Sequence, residues 1–107
     1  MSLQPVPIQN VPGVPDYTCT AFLPKSSDYC MLIPVINEGS RILTELGRAQ
    51  KAGVDRLVDI VICDGGSTDG SMNPDTLELY GVNTLLVKTG PGKQGAQLRM
   101  GLHFALT

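Results

Sequence analysis

The sequence predicts an α/β fold built on a parallel sheet with flanking helices. Three observations predict it. Two short runs are apolar throughout and end abruptly in polar and glycine residues, a helical period lies between them, and strand and helix signals alternate to the end of the chain. At 107 residues and 42% hydrophobic content, the chain suits one small domain that buries roughly 65% of its unfolded surface.

Met1 to Ser27 holds Pro5, Pro7, Pro12, Pro15 and Pro24 with no sustained period. Residues 1–28 therefore read as a proline-rich arm, either extended or wrapped onto the domain through Tyr17, Phe22 and Leu23. The domain itself is expected over residues 29–107. Its first strand is the run Tyr29 to Ile36, closed by Asn37-Glu38-Gly39; a run this uniformly apolar predicts a strand buried on both faces. Ile42, Leu46, Ala49 and Gly53 then recur at helical spacing, with Asn37 or Ser40 as candidate N-cap and Gly53 as the stop. Leu57 to Cys63 is the second strand, and the glycine-rich turn Asp64 to Gly70 follows it. Asn73-Pro74 opens a short helix whose apolar face is Leu77 and Tyr80, and Gly81 closes it. Asn83 to Lys88 is the third strand. After Thr89-Gly90-Pro91-Gly92, the residues Leu98, Leu102 and Ala105 share one face of a last helix.

Composition removes several functions. A net charge of -2 and a pI near 5.1 provide no basic field for a polyphosphate backbone, so nucleic acid is not an expected partner. Cys19, Cys30 and Cys63 form an odd set without CxxC spacing, which argues against a disulfide framework and a zinc site; reduced thiols in a cytoplasmic protein fit best. Cys30 and Cys63 sit in apolar runs and are expected to pack as small hydrophobes. No stretch approaches the about 20 apolar residues of a membrane span, and no secretory signal opens the chain. A dinucleotide fingerprint is missing after the first strand, and Lys93 is followed by Gln94 where a phosphate-binding P-loop requires Ser or Thr. His103 stands alone on the last helix and receives no catalytic role.

In a parallel sheet ligands bind beyond the carboxyl ends of the strands, so the residues there carry the functional reading. Pro34, Val35, Asn37 and Glu38 end the first strand; taken alone, the segment favours the plainer reading, in which Asn37 caps the helix and Glu38 favours its dipole. Asp64 ends the second, before two glycines that admit a ligand to the backbone, then Ser67, Thr68 and Asp69. Ser67 or Asp69 as an N-cap explains those two residues and leaves Asp64 unexplained.

The motifs IPVINE, from Ile33 to Glu38, and ICDGGSTDGS, from Ile62 to Ser71, resemble those of the family 2 glycosyltransferases of the GT-A fold. GPGKQGAQLRMG, from Gly90 to Gly101, is similar to the glycine-rich basic segment that precedes the metal motif of that family. The resemblance runs from about Tyr29 to Thr107. It implies a Rossmann-like parallel sheet, the N-terminal half of a nucleotide-diphospho-sugar transferase domain. It further implies Pro34, Val35 and Glu38 around a nucleoside, Asp64 against the base, Asp69 ordering the loop, and Lys93 and Arg99 toward a diphosphate. An ordinary solvated helix face accounts equally for the last two. Two positions depart from the pattern, Ile36 where many relatives carry an aromatic residue and Gly65 where they carry a second aspartate.

The implied reaction is transfer of a sugar from a UDP- or GDP-linked donor to an acceptor hydroxyl. By the same resemblance the complete enzyme requires a divalent metal, Mg or Mn, held by an Asp-x-Asp motif after the next strand, and a later catalytic base. Neither motif occurs in these residues, so the chain by itself is expected to be inactive. The family sheet also places the first strand centrally. Its free edge is expected to self-associate into a homo-oligomer or to be covered by the N-terminal arm. The alternative reading is a non-catalytic fragment or assembly module.

Overall fold

In the computed structural model, which describes residues 4–107, five strands form one mixed sheet in the order β1-β2-β5-β4-β3. The strands are β1 (Val6–Ile8), β2 (Tyr17–Ala21), β3 (Cys30–Val35), β4 (Asp59–Asp64) and β5 (Thr84–Lys88). The helices are α1 (Ser40–Lys51), α2 (Pro74–Leu79) and α3 (Gln94–Leu106), with a 3₁₀ turn at Val54–Arg56. The α/β class and its alternating order are as expected. The wholly parallel sheet is not: β3, β4 and β5 are parallel, while β2 joins β5 antiparallel and β1 joins β2 antiparallel.

The difference comes from the proline-rich segment, whose first three residues lie outside the described ones. Between its prolines, Tyr17 to Ala21 is a proline-free stretch with two threonines, and it pairs along the full length of β5. Tyr17 is buried on the sheet and Phe22 packs against the core, whereas Leu23 is exposed. The radius of gyration, 12.9 Å, is that of a folded chain of this length, about 13 Å.

β4, between β3 and β5, is the most deeply buried strand, with every residue from Asp59 to Asp64 buried. Its alternation divides the core in two. Ile60 and Ile62 face Ile42 and Leu46 of α1 and Leu77 of α2, whereas Val61 and Cys63 face Met100 of α3 and Tyr17 of β2. The result is three layers, with α1 and α2 on one face and α3 on the other.

Several sequence expectations are corrected. β3 is an edge strand, not a strand buried on both faces; with a neighbour on one side only, Tyr29, Cys30 and Met31 are exposed. The N-terminal segment does not cover this edge, because it adds its strands at the opposite side of the sheet, beyond β5. Cys30 is exposed, so only Cys63 of the two behaves as a core residue. Leu57 follows the 3₁₀ turn, before β4 begins, and is exposed. Neither Asn37 nor Ser40 caps α1; Gly39 occupies that position without a side-chain bond. The expected apolar face of α3 is exposed as well: Ala96, Gln97, Met100 and Gly101 are buried, while Leu98, Leu102 and Ala105 point outward. By contrast Asn73 caps α2 as its Asn-Pro start suggests, accepting from the Asp75 and Thr76 amides.

Candidate functional site

The carboxyl ends of β3, β4 and β5 lie side by side, and the loops after the first two are joined by side-chain bonds. The Asn37 amide donates to Ser67 Oγ at 2.9 Å, and the Asn37 carboxamide accepts from the Thr68 amide at 2.8 Å. Asn37 reaches this position in a left-handed conformation, φ 47°, which asparagine tolerates better than most residues. Asp69 accepts from the Gly39 amide and from the Ser71 amide and hydroxyl. The Ser71 hydroxyl, then its amide and that of Gly39, hold the Asp69 carboxyl below its ordinary range.

Asp64 is 2% exposed, and both carboxylate oxygens accept from the Ser67 amide, with Ser67 Oγ adding a 2.6 Å bond. A buried carboxylate at the strand end is thus satisfied by its own turn. Asn37, Asp64 and Asp69 act together as a frame that fixes two loops.

Across this frame lies Gln97, a buried residue of α3. Its Nε2 donates at 2.9 Å both to the Val35 carbonyl and to the Cys63 carbonyl, tying α3 to the last turns of β3 and β4. Gly65 makes room for it: a Cβ there would stand 3.0 Å from the Gln97 carboxamide carbon. The departure at Gly65 from the resembled pattern therefore has a local steric reason, since an aspartate would meet Gln97.

Beside this strap is a cleft of about 440 Å³ lined by Pro34, Val35, Glu38, Gly65, Lys88, Lys93 and Gln97, among others. Its lining brings the apolar Pro34 and two lysines, Lys88 and Lys93, into one cleft. Lys88 is half-buried, and its Nζ donates to the Gly90 carbonyl at 2.8 Å. Among the described residues neither lysine has a carboxylate within ion-pair distance, whereas Glu38 is paired with Arg41 at 2.8 Å. Two uncompensated cations in a cleft attract an anion.

Of the residues expected at the site, Pro34, Val35, Glu38 and Lys93 share this cleft. Asp64 and Asp69 stand in the loops behind it. Arg99 is elsewhere, on another flank of α3, where its Nε donates to the Gly13 carbonyl at 3.0 Å. Two cleft residues escaped the sequence reading. Lys88 ends β5 as Asp64 ends β4, so the strand-end rule was signal enough to find it. Gln97 offered no signal, because its carbonyl partners are set by tertiary packing.

Among the described residues no three His, Cys, Asp or Glu side chains converge to hold a metal ion, and no helix is long and apolar enough to cross a membrane. No family model matches the chain, and no curated protein and no solved structure matches it either.

Proposed function

We propose that this chain is a nucleotide-binding α/β unit, and more particularly the N-terminal, nucleotide-sugar-binding portion of a GT-A glycosyltransferase of the family 2 type. The complete enzyme would move a sugar from a UDP- or GDP-linked donor to an acceptor hydroxyl. The observation that carries this reading is the cleft at the carboxyl ends of three parallel strands, lined by apolar Pro34 and by two lysines that have no ion-pair partner among the described residues.

Pro34 and Val35 suit the flat face of a base, Glu38 can accept from a ribose hydroxyl, and Lys88 with Lys93 can meet a diphosphate. Asp64 contributes by fixing the loop whose Gly65 backbone borders the ligand, since its own oxygens are already bonded. The chain binds and orients the donor. The residues described here do not fit a divalent metal, so no chemical step of the transfer is assigned to them.

Thermal stability against UDP, GDP, CDP, ADP and NAD, each with and without manganese, tests the reading. A ligand at about 100 times its dissociation constant adds about 2.7 kcal/mol, on the order of 10–20 °C for a domain of this size. Selective stabilisation by UDP or GDP, lost in Lys88→Met with Lys93→Met, is expected. No shift with any nucleotide, or a shift that survives both substitutions, refutes it.

A further inference from the structure

The connection from β5 to α3 carries both lysines of the cleft, Lys88 before it and Lys93 at its end. Between them stand Thr89, Gly90, Pro91 and Gly92. Glycine widens the conformations open to a chain, so a loop of this kind needs outside support if two cations are to wait at a fixed separation. That support comes from the N-terminal segment, just ahead of β2.

The segment is stiffened by its own sequence. Val11-Pro12-Gly13-Val14 has proline at the second place and glycine, φ 76°, at the third, the pattern of a type II turn, and the Val14 amide closes it on the Val11 carbonyl at 3.1 Å. Pro15 fixes one further φ. The Asn10 amide donates to Asp16 Oδ1 at 3.1 Å, drawing together the chain on either side of the turn. Val14 packs on the α3 face of the sheet with Tyr17, Cys63 and Met100.

The ladder between β2 and β5 ends at Tyr17 and Lys88, and the contacts of the segment continue past it. The Asp16 carbonyl accepts from the Thr89 amide at 2.9 Å and from the Gly90 amide at 3.0 Å. The Gly90 carbonyl in turn accepts from Lys88 Nζ at 2.8 Å, which aims that ammonium and leaves its remaining protons free to donate. Beyond the loop, Arg99 Nε donates to the Gly13 carbonyl at 3.0 Å, and the Tyr17 hydroxyl shares a 2.7 Å hydrogen bond with His103 Nδ1. The segment therefore grips the chain both before and after Lys93.

We propose that residues 10–17 are positioning residues of the anion cleft, which fix the spacing of Lys88 and Lys93 and so raise the affinity for a diphosphate. The proposal rests on the reading of the cleft given above. A site whose cations are already placed loses less conformational freedom on binding than one that must order a glycine-rich loop. The proline-rich segment then does more than add strands to the sheet. Arg99, which stands away from the cleft, acts at one remove by holding Gly13.

Titration of the whole chain with inorganic diphosphate tests this, at a temperature well below the melting midpoint of every variant. Gly90 has a negative φ, so alanine there brings no left-handed strain; its Cβ would stand 2.9 Å from the Asp16 amide nitrogen and push the loop off the segment. Tyr17→Phe removes the bond to His103. Neither substitution alters the charge of the cleft. Gly90→Ala is expected to weaken diphosphate binding about tenfold or more, the scale of one hydrogen bond to a charged group. Tyr17→Phe is expected to weaken it by about two- to tenfold, the scale of a neutral one. A role confined to stability would lower the melting midpoints and leave both dissociation constants at the wild-type value, which overturns the proposal. Thr89 and Gly90 amides that exchange freely with solvent in the wild type overturn it too. Binding that is lost in Lys88→Met with Lys93→Met but kept in Gly90→Ala and Tyr17→Phe refutes the brace alone, whereas a wild type that binds no diphosphate refutes the brace and the reading of the cleft together.

Discussion

Replacing Gln97 by methionine isolates the strap across the strand ends, because the side chain keeps its length and loses both hydrogen bonds. Each bond from Nε2 contributes about 0.5–1.5 kcal/mol net, so the loss is roughly 1–3 kcal/mol. The lower part of that range is favoured at Val35, whose carbonyl also accepts from the Gly65 amide and stays satisfied. At about 4–8 °C per kcal/mol for a domain near this size, the melting midpoint falls on the order of 10 °C. Urea unfolding is the assay, with an unchanged slope showing that stability and not compactness has moved. Gln97→Glu should be worse at neutral pH, since an ionised carboxylate would face two carbonyl oxygens, and should recover as acid protonates it. A loss under about 0.5 kcal/mol in Gln97→Met, the scale of an ordinary surface substitution, would show that packing alone holds α3 to the strand ends.

Two other perturbations follow from the packing. Burial, with the nearby Cys30 adding, pushes the Cys63 thiol up to about 11. Above about pH 9 the unfolded chain releases this proton while the folded one keeps it, so stability should fall by up to about 1.4 kcal/mol per pH unit until the folded thiol titrates. Cys63→Ala should flatten that slope in pH-dependent melting without abolishing it, because burial also raises Cys19 and Tyr17; an unchanged slope contradicts the assignment. Gly81→Ala should cost more than Gly70→Ala although both have φ above +80° or at it. At Gly81 the new Cβ would stand 2.7 Å from Asp55 Oδ2, whereas at Gly70 it meets nothing within 4 Å and costs only the left-handed strain of about 1–2 kcal/mol. Equal costs in chemical denaturation would show that Asp55 moves aside freely.

Much of the candidate site was legible in the sequence because strand ends are marked by abrupt changes of residue type. Pro34, Val35 and Glu38 were found that way, and Lys93 came from the resemblance of the basic segment. Arg99 was equally basic and equally close in sequence, yet two positions beyond Gln97 around the helix place it on a different flank. Periodicity shows which residues share a face and is silent on where that face points. Leu98, Leu102 and Ala105 do share one, and the sheet takes its neighbour.

By itself the sequence determined the α/β class, the alternating order of strands and helices from residue 30 onward, and the Asn73-Pro74 cap of α2. Each depends on residues close together in the chain, through φ preference, hydrophobic period and local capping. Tertiary structure alone decided that β3 lies at an edge and not at the centre, that the proline-rich segment supplies two antiparallel strands, and that Gln97 joins two strand ends. Those outcomes depend on which strand edges meet, and a strand's own sequence reads nearly the same whether one edge is paired or both.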